Sequence, residues 1–220
     1  GRFEDLANTM QRQVNNTTDN RRRIDLYRVM GEVFEISLKD HNRAIEAYTE
    51  ILQLDEGNTR SLDALARLYE DSQSWDRAVD VMQQLVELVE DVPYRVNVFY
   101  RLGRIHEEHF NDNQNAEEHY QQALQLDDSH VESLVQLIDL YKERSDWAKA
   151  VALLERAESA TANDLERARL LYEAASGYLN NLGDEAKAVA LFARTLEVDP
   201  DHAGAGEPLA EIYYRDGRFA

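Results

Sequence analysis

The chain has no cysteine, which rules out disulfides and thiolate-held metal within it. Proline is scarce, at three residues, and glycine sparse, at nine of 220. A chain with so few breakers suits long helices joined by short turns, and its commonest residues (Leu, Ala, Glu, Arg, Gln and Asp) are helical rather than strand-forming. No apolar run approaches the ~18 residues of a membrane-spanning helix, and no signal-peptide pattern stands in these residues, so a targeting segment would lie outside them. Cations are short as well: 24 Lys and Arg stand against 43 Asp and Glu, a net charge of −19. Nucleic-acid binding neutralises phosphates with Lys and Arg, so this balance argues against nucleic acid, and against an anionic membrane surface for the same reason. A solvated acidic exterior that keeps an array soluble is the plain account of the charge; a basic partner on an acidic face is the sharper one.

What the chain does have is a repeat. Phe3, Trp75, Trp147 and Phe219 fall 72 residues apart, as do Ala44, Ala116 and Ala188, Tyr48, Tyr120 and Phe192, and Asp55, Asp127 and Asp199. Residues 3–74 and 75–146 are identical at 20 of 72 ungapped positions. The unit splits in two, because Ala44, Ala78, Ala116, Ala150 and Ala188 recur at intervals of 34, 38, 34 and 38. One half-unit carries a tryptophan (Trp75, Trp147); the other carries an acidic turn and then an aromatic (Asp40 to Tyr48, Asp112 to Tyr120, Asp184 to Phe192). A fixed period of this size signals stacked supersecondary units that bury their apolar faces on one another.

Within the half-units the apolar spacing is helical. Leu62, Leu65, Leu68 and Tyr69 share one face, and Leu134, Leu137, Leu140 and Tyr141 copy them. Ser129 with Glu132 and Asn163 with Glu166 read as capping boxes, and Ser74 and Asp146 stand as N-caps before the tryptophans. Gly57 and Gly183 mark helix stops, and Pro93 and Pro200 fall between periodic segments. These signals predict helices over 3–16, 20–38, 41–54, 58–71, 75–90, 94–110, 113–126, 130–144, 147–159, 164–181, 184–197 and 204–215. A 14-residue helix is only ~21 Å long and marginal alone in water, so stability must come from stacking.

Helix pairs with this internal pattern resemble the tetratricopeptide repeat (TPR) family. Met30-Gly31 and Leu102-Gly103 look like its Leu-Gly, and Tyr69, Tyr141, Tyr178 and Tyr213 match its Tyr. The five recurring alanines match its first Ala, Tyr48, Tyr120 and Phe192 its aromatic, Ala123 and Ala157 its second Ala, and Asp199-Pro200 its closing Pro. The first-helix Trp is missing, and the 38-residue spacing exceeds the family's. The resemblance implies an all-α fold, an α-α superhelix or solenoid of about five to six antiparallel helix pairs in a right-handed stack. It divides the chain, as a single array over 1–220, into a lone helix 1–18, repeats at about 24–58, 59–92, 96–130, 131–162 and 168–202, and a partial repeat 203–220.

The most tempting chemical motif is His106-Glu107-Glu108-His109. Histidines at i, i+3 share a helix face and could hold a metal with a carboxylate. In the repeat, however, His106 takes the place of Phe34 and Tyr178, a ring flanking the core, and His109 a surface place. His130 and His202 sit near helix starts as turn residues. No Gly-rich phosphate loop or Gly-x-Ser-x-Gly elbow appears, so we expect no catalytic residues, no metal and no cofactor. The resemblance implies instead a groove lined by first helices that holds a protein or peptide, with Arg28, Arg60, Arg67, Asn97, Tyr100, Arg104, Lys142, Arg169 and Tyr172 as its lining. Arginine grips carboxylates with two bonds, so an extended partner with acidic groups is expected; pairing of the same arginines with acids one turn away is the plainer alternative. The expected role is a non-enzymatic interaction scaffold. A self-assembling array stacked head to tail, or a regulatory segment of a larger protein, are the other readings. They follow from the first helix (Phe3, Leu6, Met10, Val14) lacking a partner and from Gly217-Arg218-Phe219 repeating Gly1-Arg2-Phe3.

Overall fold

A computed structural model describes residues 1–217; Arg218, Phe219 and Ala220, with the repeat they were read to begin, lie outside the described residues. The described residues form twelve helices: α1 (Arg2–Asn15), α2 (Asn20–Glu32, continued by π-helical turns over Val33–Leu38), α3 (His41–Leu54), α4 (Thr59–Asp71), α5 (Trp75–Leu88) and α6 (Val92–Glu108). They continue with α7 (Asn113–Leu126), α8 (Val131–Glu143), α9 (Trp147–Ala160), α10 (Asp164–Gly177, continued by π turns over Tyr178–Leu182), α11 (Glu185–Val198) and α12 (Ala203–Arg215). The fold is all-α, as expected, and the helix ends fall close to the predicted ones.

The chain divides into two compact units, Gly1–Val98 and a second from Phe99 onward. In the first, α1 packs on α2, α2 on α3, α3 on α4 and α4 on α5. In the second, α7 packs on α8, α8 on α9, α9 on α10, α10 on α11 and α11 on α12.

The 34 and 38 intervals now have a structural cause. Every even-to-odd pair joins a first helix to a second helix, and the second helices α1, α3, α5, α7, α9 and α11 all have 14 residues. First helices alternate: α4, α8 and α12 have 13 residues, whereas α6 has 17 and α2 and α10 are lengthened by their π turns. The additional residues of the longer half-unit thus lie in its first helix.

Each first helix stops in one way. A left-handed residue follows it: Lys39, Asn111 and Gly183 after the long ones, Gln73, Ser145 and Gly217 after the short ones. Both sets keep the 72-residue spacing. After the first five of these residues along the chain, the next N–H turns back to a carbonyl of the last turn, as in Asp40 N to Phe34 O (2.8 Å), Asp112 N to His106 O (2.8 Å) and Ser74 N to Tyr69 O (2.8 Å). Each of these five next residues stands at the N-cap position of the second helix. Asp40 and Asp112 accept from the backbone N–H groups of Arg43 and Asn115, each at 3.1 Å, and Asp184 from Lys187.

Three local expectations change. The cap of α8 is His130, whose Nδ1 accepts from Ser133 N, while Ser129 bonds back to Asp127 and forms no capping box. Ser74 occupies the N-cap of α5 but accepts no cap bond, its hydroxyl being turned to Ser72. Pro93 lies inside the first turn of α6 rather than before it, a place where its missing N–H is not needed. Asn163 caps α10 as expected, accepting from Glu166 N.

The core is built from the repeated positions. Ala44, Ala78, Ala116, Ala150 and Ala188 are all 0% exposed. Leu62, Leu65 and Leu68, and their copies Leu134, Leu137 and Leu140, are buried, each contributing about 1.5–3 kcal/mol on leaving water. Tyr48, Tyr120 and Phe192 are buried between helices, and glycine makes room for the first two. A Cβ on Gly31 would stand 2.7 Å from the Tyr48 ring, and one on Gly103 2.5 Å from the Tyr120 ring.

Candidate partner-binding surface

The exposed face of the first helices carries the side chains that sequence singled out. In the first unit, Arg28 pairs with Glu32 one turn on, at 2.9 Å. Arg67 reaches Glu35 of α2 at 2.9 Å and Asp63 of its own helix at 3.4 Å. Glu35 also accepts from the Tyr48 hydroxyl at 3.0 Å, so α2, α3 and α4 are tied through one carboxylate. Burial, and then Glu35, hold that hydroxyl well above the usual tyrosine range. Arg60 is exposed and meets no carboxylate. With Thr59, Asp63, Leu85, Val89 and Tyr94 it lines a cleft of about 270 Å³. Asn97 is exposed and takes no hydrogen bond.

In the second unit, Arg104 holds Glu108 through Nε (2.7 Å) and Nη2 (2.5 Å). Lys142 of α8 meets Asp139 at 3.3 Å and Glu173 of α10 at 2.5 Å. Arg169 pairs with Glu166 (2.7 Å) and with Glu173 (3.1 Å), so Glu173 joins the two helices. Tyr100 and Tyr172 are half-buried, and each leans on the histidine that opens the following first helix. Tyr100 lies 5.5 Å from His130 and 6.0 Å from Tyr120; Tyr172 lies 4.8 Å from His202 and 5.9 Å from Phe192, between ring centroids.

The structure therefore places Arg28, Arg67, Arg104, Lys142 and Arg169 in acid pairs, the two tyrosines in ring clusters, and Arg60 and Asn97 without partners. The pairs are weak holds. Their cations are 30–52% exposed, and such pairs are worth about 0–1 kcal/mol in water. An incoming carboxylate can exchange with them at little cost.

His106 behaves as the repeat implies. Neither ring nitrogen has a hydrogen-bond partner, and the ring packs 5.3 Å from Phe110 and 5.2 Å from His119. Burial, and then His119, lower its pKa, so it is neutral at pH 7. Where the other ring positions carry a cation above them (Arg43 over Phe34, Lys187 over Tyr178), this one has Asn115. No three His, Asp or Glu side chains among the described residues are placed to hold a metal, and no described helix is long and apolar enough to cross a membrane.

Sequence reasoning missed two carboxylates. Glu107 accepts from the buried Tyr120 hydroxyl at 2.6 Å, as Glu35 does from Tyr48; their shared spacing of 72 was the available signal. Glu158 of α9 is buried at 5% and held by Arg167 of α10 (3.0 Å) and Arg194 of α11 (3.1 Å). Nothing in the repeat pointed to it, since Val14 and Val86 occupy its place in the other periods.

Residues 61–93 and 96–130 each match a sequence profile of the tetratricopeptide repeat. These two segments are tetratricopeptide repeats. The chain is similar to tetratricopeptide repeat protein 37 of Xenopus laevis, 32% identical over 131 residues that cover 58% of this chain and 8% of that protein. It is also similar to lipopolysaccharide assembly protein B of Escherichia coli K12, 23% identical over 208 residues, 93% of this chain and 53% of that protein. The chain thus spans under a tenth of the first relative and about half of the second. Among solved structures, MamA superimposes with a TM-score of 0.58 at 23% identity, covering 82% of this chain and 94% of that one. YrrB, described as a TPR protein with an unusual peptide-binding site, does so at 0.54 and 18%, covering 92% and 98%. These likenesses support the TPR fold of repeated antiparallel helix pairs.

Proposed function

We propose that this chain is a non-enzymatic scaffold that holds an extended, acid-bearing peptide or partner segment on the first-helix face of each of its two units. The observation that carries the reading is the state of the cations on that face. Arg60 is unpaired, and Arg28, Arg67, Arg104, Lys142 and Arg169 sit in exposed pairs that a ligand carboxylate can replace. The peptide-binding site named for YrrB supports the class of role. The test is a random dodecapeptide phage selection on the chain, followed by fluorescence anisotropy of the enriched peptides against Arg67→Ala and Arg104→Ala. Weaker binding in at least one variant is expected; unchanged affinity in both sinks the reading.

A second reading is self-association through α1. Phe3 shares the phase of Trp75 and Trp147, which are half-buried, yet Phe3 is 49% exposed beside exposed Leu6. A second copy of the chain docked on α1 would bury this apolar surface. Light scattering over a wide concentration range should show growth in mass that Phe3→Glu removes; a constant monomer mass would argue against it.

A further inference from the structure

The cleft beside Arg60 is a departure from the repeat. Thr59, Arg60 and Asp63 of α4, Leu85 near the end of α5, Val89 just after it, and Tyr94 of α6 enclose about 270 Å³ within the first unit. Leu85 is buried, and Val89 and Tyr94 are half-buried; these three form the apolar side of the cleft, opposite Thr59, Arg60 and Asp63. The Tyr94 hydroxyl donates to Asp63, whose other oxygen faces Arg67 Nε at 3.4 Å. Asp63 is thus held by Tyr94 and Arg67, and Arg60 projects beside the cleft unpaired.

One period later the corresponding residues are Val131, Glu132, Val135, Ala157, Thr161 and Glu166. Every one differs, and the charge at the Arg60 place reverses. The packing residues between them do not differ: Ser61, Leu62 and Leu65 recur as Ser133, Leu134 and Leu137, all buried. Stacking helix pairs therefore needs neither the cleft nor its cation. A volume of 270 Å³ is below the ~300–1,000 Å³ of small-molecule sites, and the cleft suits a single side chain. Asn97, one turn along α6 from Tyr94, has an amide free to bond a peptide backbone as donor and acceptor.

We propose that this cleft is a specificity pocket for one aliphatic side chain of a partner peptide, with a neighbouring Asp or Glu side chain of that peptide paired to Arg60. Resting on the scaffold reading above, it names the chemistry the scaffold recognises. The aliphatic group displaces water from Leu85, Val89 and the Tyr94 ring, and the carboxylate supplies the partner Arg60 lacks.

The peptides enriched by the phage selection provide the probes. An aliphatic residue adjacent to Asp or Glu should dominate them. Arg60→Glu copies Glu132 of the next period, so the fold accepts it, and circular-dichroism melting confirms that. It should weaken such peptides at least tenfold, and replacing their acid by Lys should restore binding to this variant. Val89→Trp, which fills the cleft, should weaken them comparably. Enriched peptides without the pair, or affinities unchanged by both substitutions, overturn the proposal. If Arg67→Ala or Arg104→Ala lowers affinity while Arg60→Glu and Val89→Trp do not, the pocket fails and the scaffold reading stands. If no peptide is enriched, or no variant matters, both fail.

Discussion

Two helix pairs of this chain close on a tyrosine bonded to a carboxylate, and a third, built to the same plan, does not. In α2–α3 the pair is Tyr48 with Glu35, and in α6–α7 it is Tyr120 with Glu107. In α10–α11 the two places hold Phe192 and Leu179. Hydroxyl and carboxylate are present together or absent together. The physical reason is that a buried polar group without its partner costs about 1–3 kcal/mol, whereas losing both can be nearly neutral. The glycines follow the same division: Gly31 and Gly103 admit the tyrosines, and Ala175 stands in the third place.

Gly103→Ala should break the comparison most severely. Alanine normally favours a helix over glycine by about 1 kcal/mol. Here the new methyl would stand 2.5 Å from a ring that is fully buried and hydrogen-bonded, so it cannot swing away. We expect a net loss of about 2 kcal/mol, in the range of overpacked cores, read as a lower urea midpoint with the same slope.

Glu107→Leu comes next. It strands the Tyr120 hydroxyl and should cost about 1–2 kcal/mol. Adding Tyr120→Phe copies the third helix pair and should bring stability back to within about 0.5 kcal/mol of the starting chain. A double-mutant cycle by urea unfolding measures the coupling; additive losses would show that the two residues act independently.

These pairs also show what sequence reveals and what it hides. The alanines, the leucine stripes and the ring positions were legible because the repeat states them several times and burial allows few substitutes. The role of His106 was legible for that reason: its place belongs to Phe34 and Tyr178. Position along the chain does not, however, say how an exposed side chain pairs. Arg67 and Arg104 are equally exposed-looking arginines, yet one bridges to another helix and one only to its own next turn. The cleft beside Arg60 needed Leu85, Val89 and Tyr94 to be brought together from three segments. Glu158 could not be anticipated, because its arginines arrive from two other helices. The His130 cap was missed because Ser129 offered the more familiar cap residue, and only geometry shows the imidazole nitrogen facing Ser133 N.

The left-handed turns offer a smaller and favourable effect. Gly183 holds φ +68° without strain, but Gln73, Lys39 and Ser145 adopt the same region with side chains. Left-handed backbone costs such residues roughly 1–2 kcal/mol, offset in part by the greater freedom glycine has when unfolded. Gln73→Gly should therefore raise stability by up to about 1 kcal/mol. Asn111→Gly should raise it less, since asparagine tolerates this region. Thermal melts of the two variants test the ordering; equal gains would count against backbone strain as the cause.

The smallest effect separates the capping carboxylates from the tyrosine-bound one by the sign of their response to pH. Backbone N–H bonds from Arg43 and Asn115 hold Asp40 and Asp112 below the usual carboxylate value. A carboxyl lowered on folding gives stability that is complete above its unfolded pKa, near 4, and lost as pH falls through the lowered value. Glu107 is moved the other way by burial, against the pull of Tyr120. Its contribution is complete below the unfolded value and lost as pH rises through the raised one. Urea midpoints should therefore fall from pH 4 to pH 2, and Asp112→Asn, which keeps the cap oxygen but cannot ionise, should flatten that fall slightly because the group is exposed and well screened. The Glu107→Leu, Tyr120→Phe double variant should leave the acid fall in place and instead gain on the starting chain as pH rises above 4.5. A double variant that changed only the acid limb would place Glu107 with the caps and remove the distinction.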